Sequence, residues 1–297
     1  MNYTLNCNGQ LLDLSTPQVM GILNATPDSF YAASRTQTER EIAQRAEEIL
    51  QQGGTIIDVG ACSTRPDSKT ATEAEEAERL RLALKTIRTV KPDAIVSVDT
   101  FRPNVARMAV EEFGADIIND VGAPANSPRN ATPHSPRENA TLSKREFSIL
   151  NSPFSMFRMV SRLRVPYIYM SRQGTMREIL LDCAEAINTL RSMGQKDIVL
   201  DPGFGFGKTL EQNYQVMNTL EQLQMTRLPV LVGVSRKSMI HRLLDITPDE
   251  ALNGTTVLNT LALMKGASIL RVHDVRAAVE CVKIADAICC GKTTANK

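Results

Sequence analysis

Asn24, Asp99, Asn119, Asp201, Ser235 and His273 each stand at the end of a short apolar run. Their chemistry depends on what gathers around them. Asp99, Asn119 and Asp201 are acceptors or amides, suited to a flat heterocycle with an amidine-like hydrogen-bonding edge. Lys237, Arg271 and His273 are cationic or can become so, which suits a phosphate or a carboxylate. Hydrolysis by a triad or by zinc is poorly served. No Ser-His-Asp order is present, and of the three histidines His134 lies in a Pro/Ser/Asn-rich stretch and His241 in a helical one, where a surface position is expected. One polar residue after an apolar run is ordinarily a loop start or a helix cap. The set gains meaning only if a fold makes its members converge.

The elements that could do so are legible. Near-continuous apolar runs begin at Gln18 (QVMGILN), Thr55 (TIIDVG), Ala94 (AIVSVDT), Asp116 (DIIND), Pro166 (PYIYM), Asp197 (DIVLDPG), Pro229 (PVLVGVS) and Ser268 (SILRVHD), the pattern of parallel strands covered on both faces. Segments of helical period lie between them. One carries Ala77, Leu80, Leu84 and Ile87 on one face, with Thr70 and Glu73 at capping-box spacing. Another opens on Thr247, Pro248 and Glu250, with Pro at the first helical position. Eight strands and about eight helices predict a single-domain α/β protein spanning 1–297, a (β/α)8 barrel whose strand ends converge at one mouth. A doubly wound sheet is the competitor, but no strand leads into GxGxxG. Lys208 stands where the pattern around Gly203, Gly205 and Gly207 would need its last member, and Pro202 spoils a phosphate loop there.

A net charge of +1, from 34 Lys+Arg against 33 Asp+Glu, argues against a nucleic-acid partner. No apolar run is long enough to span a bilayer, and the start MNYTLNCNGQLLDL carries no signal-peptide pattern. The six cysteines, without a CxxC pair, read as reduced thiols in the cytoplasm. From Gly122 to about residue 147 the alternation breaks into a Pro/Ser/Asn-rich stretch with an imperfect tandem copy, SPRNATPH beside SPRENATL. It has no apolar period to offset its chain entropy and is expected to be a mobile, dispensable insertion.

Seven motifs carry a family resemblance: VMGILNATPDSF, IIDVGACSTRP, IVSVDT, GADIINDV, DPGFGFGKT, GVSRKS and LRVHDV. In this order, over almost the whole chain, the sequence resembles the dihydropteroate synthases, folate-pathway transferases and sulfonamide targets. The resemblance implies condensation of 6-hydroxymethyl-7,8-dihydropterin diphosphate with p-aminobenzoate, release of pyrophosphate, Mg2+ as cofactor and a homodimer through outer helices. It implies that Asp99, Asn119, Asp201 and Lys237 hold the pterin, with Met170 and Gly233 against its ring. Asn24 would coordinate the metal, and Arg271 with His273 would bind pyrophosphate; lying two residues apart, their side chains are expected on one side of the strand. Thr64, Arg65, Pro66, Phe206 and Ser238 would form the p-aminobenzoate site. Asp99, Lys237, Arg271 and His273 are the expected catalytic group.

The sequence departs from the family where Ala61-Cys62 replaces the usual Gly-Glu, where Ser171 replaces a His, and where YAASRTQ replaces a Gly-rich first loop. None of these touches a residue assigned to pterin or anion. Asp58, in mid-strand, reads as a satisfied interior polar group, and Cys62 as a small packing residue rather than a nucleophile. Phe204 and Phe206 suit a core, though the glycines around them point to close ligand approach. Two rival readings share the pocket. A methyltransferase using methyltetrahydrofolate would not need an anion site, and an inactive paralogue is expected to have lost one.

Overall fold

The computed structural model describes residues 3–25, 35–62, 71–122 and 153–290. The insertion beyond Gly122, the first loop up to residue 34, and Thr64, Arg65 and Pro66 lie outside them, while Arg35, Thr36 and Gln37 of that loop open the first helix. A two-stranded antiparallel hairpin comes first, β1 (Thr4–Cys7) and β2 (Gln10–Asp13). Asn8 and Gly9 join the strands with φ of +52° and +91°, the left-handed turn for which Asn-Gly is suited. Eight parallel strands follow: β3 (Gln18–Asn24), β4 (Ile56–Gly60), β5 (Ile95–Asp99), β6 (Ile117–Asp120), β7 (Tyr167–Met170), β8 (Ile198–Asp201), β9 (Leu231–Val232) and β10 (Ile269–Val272). Their order is β8-β7-β6-β5-β4-β3-β10-β9, and a parallel bridge between Leu200 and Val230 closes the sheet on itself. This is the expected (β/α)8 barrel.

Among the described residues nine α-helices cover it: α1 (Arg35–Gln51), α2 (Glu73–Val90), α3 (Pro103–Phe113), α4 (Pro153–Leu163), α5 (Met176–Ser192), α6 (Leu210–Asn218), α7 (Ser238–Leu244), α8 (Leu252–Met264) and α9 (Val275–Cys290). Two expected starts are corrected. The capping box of α2 is Thr72 with Glu75, two residues later than Thr70 with Glu73. Leu80, Leu84 and Ile87 are buried as the period requires, while Ala77 is only partly so. Thr247 does bond Glu250 through both its N–H and its hydroxyl, but α8 begins only at Leu252. Residues 247–251 form i to i+3 turns, with Glu250 N–H donating to Thr247 and Ala251 N–H to Pro248, and the carbonyls of Pro248 and Asp249 also accept from Arg236.

The barrel interior explains how one strand serves two purposes. Side chains alternate between the interior and the helix layer. Met20, Ile56, Ile95, Ile117, Ile168, Val199, Leu231 and Ile269 form an apolar floor, sealed by Leu5, Cys7, Leu12 and Leu14 of the hairpin and the residue after it. Two positions along on the same face come Asp58, Ser97, Asn119, Met170, Asp201, Gly233 and Arg271. The intervening residues, among them Ile57, Val96, Ile118, Leu200 and Leu270, pack outward against the helices.

Candidate active site

Strand register sets the rim. Asn24 pairs with Gly60, Gly60 with Asp99, and Asp99 with Asn119, so four neighbouring strands bring these residues into one row. Gly60 lies between the two side chains: a β-carbon there would sit at ordinary contact distance, 3.7 Å from Asp99 Oδ2 and 3.9 Å from Asn24 Oδ1. Across the mouth Met170 pairs with Asp201.

The rim groups are tied to one another. Arg271 donates from Nε to Asp58 Oδ2 at 2.6 Å and from Nη2 to Asp99 Oδ2 at 2.7 Å. Burial works against its charge, but Asp58 and Asp99 outweigh burial, so the guanidinium stays protonated. Burial raises the Asp99 carboxyl above the usual range, with Arg271 pulling it back. Fully buried Asp58 also accepts from the Ser97 hydroxyl at 2.6 Å and from Asn119 Nδ2 at 3.2 Å. Asn119 is itself fully buried, and its Oδ1 has no hydrogen-bond partner. A buried, unmatched acceptor of this kind costs roughly 1–3 kcal/mol, so it marks a position meant for a donor.

Asp201 is buried and accepts from Gly203 N–H at 2.7 Å. Burial raises its pKa, and Lys237 opposes that rise. Lys237 donates to the Phe204 carbonyl and lies 4.5 Å from the centroid of the Phe206 ring. Burial pulls its ammonium down to about 8, with Asp201 opposing. The three glycines of DPGFGFG all have positive φ, and two of them pack closely against the protein's own atoms. Gly203 has φ +70° and a β-carbon there would stand 2.2 Å from the Ser171 carbonyl oxygen. At Gly205 (φ +78°) it would stand 3.0 Å from Lys237 Cδ. Phe204 is core, whereas Phe206 is half-buried at the rim.

The two members of the expected anion pair have different surroundings. His273 lies just beyond β10, with Nδ1 3.1 Å from Ser235 Oγ, and its carbonyl accepts from Arg45 at 2.6 Å. Burial, then Arg271, lowers its pKa to about 4, so at neutral pH it is a neutral hydrogen-bonding group and not a cation. Arg271, by contrast, is held by two carboxylates, so the two side chains have different partners despite their spacing. Of the remaining assigned residues, Met170 is buried beside Gly203, Gly233 flanks Arg271, and Ser238 is the half-buried first residue of α7. Asn24 is exposed at the end of β3.

Sequence reading passed over several residues. Asp58 was expected to be satisfied and is, but by Arg271 and Asn119 themselves; a carboxylate inside an apolar strand is the signal, since burial demands partners. Arg172 went unassigned, and its guanidinium carbon lies 5.8 Å from the Phe206 centroid, with Nε buried and unpartnered. Lys208 donates to the Gly203 carbonyl at 3.0 Å and braces the glycine loop. Arg236, with φ +55°, grips Asp274 with two bonds of 2.9 and 2.8 Å, and this fixes the turn that presents Lys237. Ser171, in place of the family's His, is buried, with its carbonyl accepting weakly from Lys208. Cys62 has its thiol pushed up by burial, as suits a packing residue.

The arrangement can read the donor edge of a heterocycle with Asp201 and Asn119 while cations stand beside it. The pterin binding enzyme family model matches residues 20–141 and 147–273. The dihydropteroate synthase of Escherichia coli K12 is 34% identical over 283 residues, covering 95% of each chain. That of Haemophilus influenzae is 35% identical over 282 residues, 94% of this chain and 97% of its own. Among solved structures, Yersinia pestis DHPS with a pterin–sulfa conjugate aligns with a TM-score of 0.77 at 32% identity, covering 98% of this chain and 100% of its own. Xanthomonas albilineans dihydropteroate synthase with 4-aminobenzoic acid aligns with a TM-score of 0.79 at 31% identity, covering 97% and 98%.

Proposed function

The chain belongs to the pterin-binding enzyme family, as a dihydropteroate synthase, and from that premise we infer how its barrel mouth carries out the reaction. The enzyme condenses 6-hydroxymethyl-7,8-dihydropterin diphosphate with p-aminobenzoate to give 7,8-dihydropteroate and pyrophosphate. The observation that carries the residue assignment is the orphaned Asn119 Oδ1, on the same inward face of the barrel as buried Asp201, whose charge is felt by Lys237 and Arg271.

In this reading Asp201, Asn119, Asp99 and Lys237 bind the pterin edge, and Met170 and Gly233 bound its faces. The diphosphate extends toward Arg271, His273 and Asn24. As the bond from the pterin methylene to oxygen lengthens, negative charge grows on the departing pyrophosphate. The fixed charge of Arg271 and the N–H of neutral His273 are preorganised to meet it. The methylene becomes cationic, and the carboxylates beneath it favour that charge. p-Aminobenzoate attacks with its neutral amine, which needs no strong base at the site. Thr64, Arg65, Pro66, Phe206 and Ser238 would hold it, and sulfonamides would compete there.

Asn24, exposed at the rim, offers an amide oxygen beside Gly60, and no cluster of three His, Cys, Asp or Glu exists among the described residues. Such a donor set fits Mg2+ carried largely by substrate phosphates and water. Asn24 would hold Mg2+, which would supply neutralisation of charge on the leaving group.

Outer helices α8 and α9 expose Val257, Leu261, Met264, Ile284 and Ile288, and Met264 meets Cys289 across the pair at 3.8 Å between sulfurs. This apolar face supports a homodimer. The free thiols Cys7, Cys183 and Cys281 suit the cytoplasm, and no helix among the described residues is long and apolar enough to cross a membrane.

Pyrophosphate release, measured with both substrates and with each alone, tests the function. Release that needs both, and that falls sharply in Arg271→Ala, is expected. Calorimetric titration of p-aminobenzoate should show tight binding only with pterin, pyrophosphate and Mg2+ present. Equal affinity without them would remove any role for the anion in building the second site.

A further inference from the structure

The Asp58 carboxylate is fully buried, one inward-facing step below Gly60 of the rim row, and both its oxygens are taken up by side chains of neighbouring strands. Two of its bonds go to rim residues. One oxygen, Oδ2, takes both Asn119 Nδ2 at 3.2 Å and Arg271 Nε at 2.6 Å, while Oδ1 takes the Ser97 hydroxyl at 2.6 Å. A group that accepts three hydrogen bonds and gives none discriminates between the two ends of its amide neighbour. The oxygen and nitrogen of an asparagine amide are nearly the same size, and packing alone does not select which end faces where. Turned over, Asn119 would set its oxygen against Asp58, acceptor against acceptor. Held as it is, it places Oδ1, buried and unpartnered, on the side away from Asp58.

We propose that Asp58 is a positioning residue that fixes the amide of Asn119 so that its oxygen, not its nitrogen, is presented to the pterin, and that it anchors Arg271 through the same carboxylate oxygen. The proposal rests on the reading of the mouth as the pterin site. It makes the pterin edge and the anion side of the mouth share one buried support. An asparagine at position 58 has the same shape but offers a donor as well, so the Asn119 amide is free to turn and can present N–H against the N–H of the ligand. Asp201 and Lys237 are untouched by that change.

The test is binding of 6-hydroxymethylpterin, followed by calorimetry, with thermal melting recorded beside it. This probe lacks the diphosphate and so reads the Asn119 arm rather than the anion grip of Arg271. Asp58→Asn is expected to weaken it about 10- to 100-fold, the range for a mispresented buried hydrogen bond. The decisive variant exchanges the two residues, Asp58→Asn with Asn119→Asp. It keeps a carboxylate against an amide, with the bond now donated from position 58, and restores an acceptor that has no wrong way round. Affinity should return to within a few-fold of wild type. If Asp58 were only a structural brace, recovery of melting temperature would not bring affinity back. Wild-type affinity in Asp58→Asn overturns the proposal, as does an exchange variant that fails to fold or binds no better than the single variant. Should Asp58→Asn itself not fold, the exchange variant decides alone. A wild-type protein that does not bind the probe refutes the pterin reading, and the proposal falls with it; binding by wild type together with loss in Asp201→Asn keeps that reading while the variants at 58 are judged.

Discussion

The floor and the mouth of the barrel are built from the same strands, two residues apart, and they obey opposite rules. At the floor Ile95, Ile117, Val199 and Ile269 need only be apolar and of the right volume. At the mouth Ser97, Asn119, Asp201 and Arg271 are buried or half-buried polar groups, and each must have a partner or a reason to lack one. The floor tolerates exchange of like for like, whereas the mouth is a network in which Asp58 and Asp99 share the single guanidinium of Arg271. Stability and chemistry are therefore separated along the barrel axis, except where charge pairs bind them together.

Arg271→Ala should blur that separation most. It leaves Asp58 and Asp99 without their cation, and breaking a buried pair costs about 3–5 kcal/mol. Urea titration should show a loss of that order together with near-complete loss of activity. A stable Arg271→Ala would mean the mouth adds nothing to the fold. Ile117→Ala at the floor should cost roughly 2–5 kcal/mol in the same titration. The folded fraction should keep the wild-type KM for pterin diphosphate; a raised KM would show that the floor shapes the site. Asp201→Asn should do the reverse, with little effect on the denaturation midpoint. An amide would set a donor against one of the ligand's, weakening pterin by roughly 1–3 kcal/mol while p-aminobenzoate affinity at saturating pterin holds.

The mildest test is pH. Lys237 loses its proton as pH rises through about 8, so catalysis that uses the ammonium is intact below that pH and declines above it. Lys237→Arg keeps its charge and should carry the alkaline limb upward, and an unmoved limb would assign it to another group. His273, already neutral above about 4, should contribute no limb between 5 and 8.

The eight strands were legible because a barrel buries both faces of each, leaving uninterrupted apolar runs such as IVLD at Ile198–Asp201. That same continuity hid which face looks inward. Without the register, Asp201 and Asp58 could not be ranked, and Asp58 read as filler although it holds two rim residues. Asn24, Asp99 and Asn119 were readable as strand ends, and the structure brings them into one row. The charge state of His273 was not readable, since it depends on burial and on Arg271 from the same strand rather than on any local pattern. The hairpin went unread despite its Asn-Gly turn, because two strands of four residues have little apolar period of their own.

That hairpin also sets a schedule. Asn8 donates to Gly114, Ala115 and Asp116, Asn6 to Asp197, and Tyr3 to Lys196, partners 106 to 193 residues further along the chain. Contacts of such span are the slow ones to form. The hairpin pairs locally, but its seat is made of distant segments. The floor of the barrel can therefore be capped only once β6 and β8 are in place to receive it.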